Sequence, residues 1–146
     1  MSDHAPASES TSETSALRMA VIRFSRRLRN ERADDAMSDG KIAVLGSLMF
    51  RGPHTLGELA ERERVSAPSM NRTVNCLEQD GYLTRTNDVE DRRRVIIALT
   101  DAGTAVVRET LRRRDAWLGD ALASLSEQER RTLAEAAALM TRLAAR

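Results

Sequence analysis

The hydrophobic pattern of this 146-residue chain changes its period twice. Apolar residues recur at helical spacing as far as Leu77, and the pair Gly81-Tyr82 then ends the helix. Alternation at every second residue follows, most clearly over 95–99, before helical spacing returns after Thr100. A period of 3.6 indicates amphipathic helices, whereas a period of 2 indicates half-buried strands. The chain is therefore predicted to be mostly α-helical, with a small β-hairpin among the helices.

Two short helices before the hairpin carry their own start signals. Thr55 and Glu58 have the spacing of a capping box, in which each side chain accepts a hydrogen bond from the other residue's backbone N–H. Ser66 is a good N-cap for the next helix, and Pro68 fits its first turn. Gly81 suits the left-handed position that ends a helix. Two short helices followed by a hairpin are the order of a winged helix-turn-helix.

The helix that begins at Ser66 has an outer face suited to an anionic partner. Met70, Val74 and Leu77 share its inner face. The other side bears groups that bind base edges or phosphates, without carboxylates in the first two turns. The candidate DNA-binding residues here are Ser66, Pro68, Ser69, Asn71, Arg72 and Asn75. For this helix taken alone, a solvated face is the competing interpretation.

Three consecutive arginines, Arg92, Arg93 and Arg94, lie at the expected hairpin tip. A DNA minor groove accepts an arginine carried on a narrow ribbon. Asp91 lies two residues before Arg93 and is expected to pair with its guanidinium and orient it. Turn tips are also charged for solubility alone, but the helix-turn-helix directly upstream favours DNA contact.

The stretch from Gly52 to Gly103 resembles the MarR family of bacterial transcriptional regulators. Two strings carry the resemblance, GPHTLGELAERERVSAPSMNRTVNCLEQDGYLTR and the more specific DVEDRRRVIIALTDAG. It implies a recognition helix over 66–80 in the major groove and a wing arginine in the minor groove, Arg93 first and Arg92 or Arg94 otherwise. The chain departs from the family at 62–66, where many members have a Leu-Gly pair.

The resemblance also implies an obligate homodimer, formed by the first helix and the last two. Residues 1–14, rich in Ser, Thr and Glu, are expected to be a disordered arm. Residues 15–36 and 101–146 are expected to form the helical dimerisation region, because their apolar faces have no further layer of chain to cover them. Residues 38–100 are expected to be the winged helix-turn-helix DNA-binding domain.

Many members of the family release DNA when a small aromatic, often anionic, effector binds between the dimerisation and DNA-binding regions. The residues near the elements that would form such a cleft are Arg26, Arg27, Arg51 and His54. Each of these is more often an ordinary surface residue. The sequence names no specific effector.

Composition and motifs argue against other classes. Cys76 is the only cysteine, which excludes an intrachain disulfide and a Cys-based zinc cluster, and an inert thiol is favoured over a redox switch. The chain has no phosphate-binding Gly-rich loop, zinc-protease motif or nucleophile elbow, so no enzyme activity, cofactor or metal is expected. No apolar run approaches the roughly 20 residues that span a bilayer, and no secretory signal is present, so a cytoplasmic location is expected.

These observations predict a sequence-specific regulator of transcription that binds double-stranded DNA. We expect a repressor that occupies a pseudo-palindromic operator as a homodimer. The alternative is a winged helix used as a protein-interaction module without DNA binding, and the arginines of the hairpin tip argue against it. The formal net charge of +1 does not decide between the two.

Overall fold

The computed structural model describes the backbone of residues 7–145 and the side chains of residues 12–145. Within these residues the helices are α1 (Ala7–Asn30), α2 (Asp39–Arg51), α3 (Leu56–Arg62), α4 (Ala67–Gln79), α5 (Asp101–Ala123) and α6 (Glu127–Ala144). The strands are β1 (His54–Thr55), β2 (Leu83–Asn87) and β3 (Val95–Leu99). This confirms the predicted fold class, a mostly α-helical chain with a small β-hairpin wing.

The three described strands form an antiparallel sheet in the order β1-β3-β2. The hairpin pairs Leu83 with Leu99 at its base and Asn87 with Val95 towards its tip. β1 adds to the other edge of β3, where His54 pairs with Ile97. The sequence predicts only the hairpin, because a strand of two residues is too short to show alternation.

The core lies between α2, α3, α4, the hairpin and the first half of α5. Apart from Met37 in the connection before α2, its residues come from helical and strand positions whose spacing is 3.6 or 2, as the sequence pattern requires. The most deeply buried large side chains are Met37, Leu45, Leu59, Met70, Leu77, Leu83 and Ile97. This core holds α4 against the base of the hairpin.

Two helices end in the same left-handed turn, although only one of them uses glycine. After α4, Gly81 has φ 80° and the Tyr82 N–H donates to the Leu77 carbonyl at 2.9 Å, which is the Schellman arrangement predicted from the sequence. After α3, Arg64 takes the same region with φ 53°, and the Val65 N–H donates to the Ala60 carbonyl at 3.0 Å. The turn of the helix-turn-helix is therefore a Schellman turn that carries an arginine in the glycine position.

The first helix differs from its prediction at both ends. It begins at Ala7, so residues 7–14 are helical rather than part of a disordered arm, whereas residues 1–6 lie outside the described residues. No Gly or Pro interrupts the segment from Ala7 to Asn30, so nothing in the backbone stops the helix there. The helix ends at Asn30 rather than near Ala36, because tertiary contacts take over the backbone of the next residues. Thr110 accepts from the Ala33 N–H at 3.2 Å, and Arg113 donates to the Arg32 carbonyl at 2.9 Å.

Candidate nucleic-acid interface

The N-terminal turn of α4 is exposed and is capped by Ser66. The Ser66 Oγ accepts from the backbone N–H of Ser69 at 3.3 Å, and its hydroxyl donates to the Ser69 Oγ at 3.0 Å. Pro68 lies in the first turn, where its missing N–H leaves no helical bond unmade. The turn holds no acidic residue, so the positive end of the helix dipole faces solvent without a carboxylate of its own.

The outer face of α4 is polar and exposed, as the sequence predicts. Ser69, Asn71, Arg72 and Asn75 are exposed, whereas Met70, Val74 and Leu77 are buried in the core. The Arg72 guanidinium forms no ion pair within the described part of the chain. The face therefore offers hydrogen-bond donors and one uncommitted positive charge.

Sequence reasoning missed Arg85 on β2, which joins this face to the wing. Its guanidinium donates from Nη2 to the Oδ1 of Asn75 at 2.7 Å and to the Oδ1 of Asn71 at 3.2 Å. Its Nη1 forms an ion pair with Glu78. The sequence does carry a signal, because Arg85 follows the buried Leu83 by two residues and so faces the same side of the strand.

The wing loop is shaped by backbone hydrogen bonds. The Asp88 N–H donates to the Arg94 carbonyl, and the Arg94 N–H donates to the Asp91 carbonyl, both at 2.9 Å. The Asp91 Oδ1 accepts from the backbone N–H of Arg93 at 3.0 Å. Among the described residues no ion pair joins Asp91 to the Arg93 guanidinium, and the carboxylate instead accepts from the backbone in an Asx turn. Asp91 shapes the loop on which Arg93 is carried.

The structure separates the three wing arginines. Arg94 reaches back to α3, where its Nη2 lies 3.4 Å from the Oε1 of Glu58. Arg92 and Arg93 are exposed and form no ion pair with any described residue. Glu58 also completes the capping box, with its Oε2 2.7 Å from the Thr55 N–H. The N–H and hydroxyl of Thr55, and then the charge of Arg94, hold the pKa of Glu58 below its ordinary value.

The four candidate effector residues divide into two groups. Arg51 and His54 line an open cleft of about 610 Å³ beside α3, together with Pro53, Glu58, Glu61, Arg62 and Arg64. Arg27 instead lies over the ring of Trp117, 4.7 Å from its centroid, and pairs with Glu31 at 2.5 Å. Arg26 is exposed on α1. The cleft contains no α1 residue, so a single protomer does not bring the four side chains together.

Two terminal helices leave apolar side chains in solvent. On α1, Leu17 is 57% exposed and Phe24 is 50% exposed. On α6, Leu139 is 50% exposed and Leu143 is 57% exposed, and this helix has no buried residue. Phe24 packs against Trp117 of α5, with ring centroids 5.8 Å apart. An apolar surface of this extent is typical of an association site.

Comparison with known proteins places this architecture in a family. The chain is 37% identical over 129 residues to an uncharacterised HTH-type transcriptional regulator of Mycobacterium bovis, an alignment that covers 88% of this chain and 90% of the relative. The sequence profile of the MarR family matches residues 37–95. This chain belongs to the MarR family. Its matched segment runs from the end of the α1–α2 connection to the start of β3 and so contains α4 and the wing loop.

Other relatives and solved structures agree with this placement. The transcriptional repressor MdtR of Bacillus subtilis is 32% identical over 93 residues, which is 64% of this chain and 60% of the repressor. A candidate transcriptional regulator of Pseudomonas aeruginosa superposes with a TM-score of 0.81 and 31% identity over 97% of this chain and 99% of the other. A MarR family protein of Bacillus stearothermophilus shares the fold, with a TM-score of 0.82 and 20% identity over 97% of this chain and all of the other.

The family assigns this chain to the DNA-binding regulators of transcription. Of the helices that the structure describes, none is both long enough and apolar enough to cross a bilayer.

Proposed function

We propose that this protein is a sequence-specific repressor that occupies a pseudo-palindromic operator as a homodimer. The observation that carries the proposal is the pairing of an exposed, carboxylate-free turn of α4 with a wing whose Arg92 and Arg93 are uncommitted. Anionic DNA is the partner that such a surface fits. The repressor name of a relative, MdtR, supports the direction of control. Repression then follows from occlusion of a promoter.

In this proposal α4 enters the major groove and the wing enters the minor groove. Ser69, Asn71, Arg72 and Asn75 meet base edges or phosphates, and Ser66 and Pro68 bring the helix N-terminus close to the backbone. Arg93 anchors the wing, with Arg92 beside it. Arg94 has a structural part, since it ties the wing to Glu58. Residues 38–100 are the DNA-binding domain on this assignment.

The dimer is proposed from the exposed apolar faces of α1 and α6. A second copy related by a two-fold axis would cover both faces with the same residues. Residues 15–36 and 101–146 are then the dimerisation region. Two recognition helices related in this way would reach half-sites about one helical turn of DNA apart.

A small aromatic or anionic effector is proposed to release the DNA. The cleft beside α3 supports an anionic ligand, because Arg51 and His54 lie in it with Arg62 and Arg64. It adjoins Glu58, which holds Arg94 of the wing, so a ligand there would act on the wing through this contact.

The test is fluorescence anisotropy with the intergenic DNA upstream of the protein's own gene, beside a scrambled duplex, over a salt series. We expect tight, salt-sensitive binding to the upstream duplex. Arg93→Ala should weaken this binding by about 1–3 kcal/mol for each wing. Arg130→Ala on α6 is the matched control, since it removes the same charge from an exposed position outside the wing. Sedimentation velocity must show that this variant assembles like the wild type, because α6 belongs to the proposed dimerisation region.

Each other outcome has a separate meaning. Equal affinity for the scrambled duplex would contradict sequence-specific control and indicate an architectural protein. An equal loss in Arg93→Ala and Arg130→Ala would remove the special role of the wing arginine. A folded protein that binds neither duplex at low salt would favour the protein-interaction module instead.

A further inference from the structure

We propose that Arg85, which need not touch DNA, sets the base preference of α4 by turning the carbonyls of Asn71 and Asn75 inward. The inference rests on the proposed function, because it assumes that the outer face of α4 meets base edges. It assigns α4 a preference for bases that accept hydrogen bonds, above all guanine, at the positions that these two asparagines contact.

The geometry of the contact is specific. Asn71 and Asn75 lie one helical turn apart on α4, and the Nη2 of Arg85 donates to both Oδ1 atoms, at 3.2 and 2.7 Å. The Nη1 of the same guanidinium pairs with Glu78, one turn further along the helix. The Arg85 side chain is only 25% exposed. The guanidinium is therefore engaged within the protein on both of its terminal nitrogens.

The chemistry of the two partners fixes which way the amides face. A guanidinium has five N–H donors and no acceptor, so only the oxygen of an asparagine amide can face it. The amino group of each amide then points away from Arg85, and no described contact uses these amino groups. Since both asparagines are exposed, α4 presents two N–H₂ donors to whatever lies outside it.

The consequence concerns which base each asparagine reads. Guanine shows two acceptors, N7 and O6, in the major groove, whereas adenine shows one acceptor and one N–H₂ donor. The usual bidentate pairing of asparagine with adenine uses the amide oxygen as well as the amino group. Arg85 turns that oxygen towards itself in both residues and places a positive charge beside it. Adenine is thereby disfavoured and guanine favoured.

The test is selection of binding sites from a duplex library with randomised half-sites, using the full chain. Asn71→Ala and Asn75→Ala identify the base positions that each side chain contacts, as the positions where preference is lost. At those positions the wild-type protein should select guanine over adenine by about 5-fold or more. Arg85→Met keeps the length of the side chain but frees both amides, so adenine should gain and the ratio should move towards equality.

Glu78→Gln is the matched control, because its amide oxygen can still accept from Arg85 and both asparagines keep their contacts. Its base preference should equal that of the wild type. Circular dichroism establishes that each variant is folded, and Arg85→Leu, whose side chain likewise has no hydrogen-bond donor, replaces Arg85→Met if the latter does not fold. The same shift towards adenine is then expected.

The outcomes separate this inference from the proposed function. Wild-type selection of adenine at these positions, or an unchanged preference in a folded Arg85 variant, would overturn the inference alone. A library with no enriched sequence for the wild-type protein would overturn both.

Discussion

Among single residues, Gly103 lets α5 pack closely against the end of α4 because it has no side chain. It lies in the first turn of α5, where an added Cβ would be 2.0 Å from the Tyr82 carbonyl oxygen and 2.9 Å from the Leu99 Cδ2. The Thr100 N–H donates to the same carbonyl at 3.1 Å, and its hydroxyl donates to the Gly81 carbonyl at 2.7 Å. Only glycine fits this approach. It holds the start of α5 against the end of α4.

We expect Gly103→Ala to lower the free energy of unfolding by about 3 kcal/mol, because the clash is with backbone and cannot be relieved by a rotamer change. Gly119→Ala is the control within the same helix, where an added Cβ meets nothing within 4 Å. It should leave stability unchanged or raise it by up to about 1 kcal/mol, since alanine favours a helix interior. Urea unfolding of both variants checks this, and equal stabilities would contradict it.

Arg64 is the opposite case, because it is a non-glycine residue in the left-handed backbone conformation that favours glycine. Its φ of 53° is a conformation that costs an L-residue about 1–2 kcal/mol. The departure from the family's Leu-Gly pair is thus a change of residue, with the left-handed turn kept. The exposed guanidinium lies at the edge of the cleft that also holds Arg51 and His54.

Within single elements, ion pairs between side chains three or four residues apart stabilise the helices. In α5, Glu109 accepts from Arg112 at 2.7 and 2.8 Å and from Arg113 at 2.9 Å. These hydrogen bonds lower the pKa of Glu109 from 4.5 to about 2. Arg113 also donates to the Arg32 carbonyl, so the same cluster connects α5 to the segment after α1.

Because the pKa of Glu109 is lower in the folded state, the unfolded chain binds more protons between pH 4.5 and about 2. The stabilisation from Glu109 is therefore complete above pH 4.5 and is lost as the pH falls through that window. Urea unfolding at several pH values should show a smaller acid loss in Glu109→Gln than in the wild type. The difference should shrink in high salt, since the cluster is exposed. Parallel profiles at low salt would contradict the assignment.

Most elements could be predicted from local signals, and the exceptions have physical causes. The predicted capping residues Thr55 and Ser66 are both found at helix starts, because a cap acts within three residues of itself. The sequence does not predict the ends of α1, since its polar N-terminal turns carry no apolar period and the residues that follow it, Arg32 and Ala33, bind to Arg113 and Thr110 of a distant helix. Such contacts leave no periodic pattern in the sequence.

In the whole molecule, the apolar faces of α1 and α6 remain exposed to solvent in a single protomer. Their residues recur at helical spacing, so the sequence predicts the faces themselves. Burial of one leucine side chain contributes about 1.5–3 kcal/mol. Because both copies contribute the same residues to a two-fold interface, each substitution changes the interface at two positions.

We therefore expect the purified protein to sediment as a dimer and Leu143→Glu to weaken the dimer by at least about 10-fold in its dissociation constant. Val89→Glu is the control, because Val89 is 96% exposed on the wing and lies away from both helices. Sedimentation velocity over a concentration series measures the effect. A wild-type monomer at all concentrations, or an unaltered Leu143→Glu dimer, would contradict the proposed assembly.

Local signals suffice to predict the order of the helices and the hairpin, the caps of the short helices, the Gly81 turn and the two faces of α4, since each depends on residues a few positions apart. The partners of the charged groups depend instead on tertiary contacts. Asp91 binds backbone, Arg94 binds Glu58, and Arg85 binds three side chains of α4. These choices depend on which elements the core brings together. The sequence does not show which partner a charged residue binds until the chain has packed.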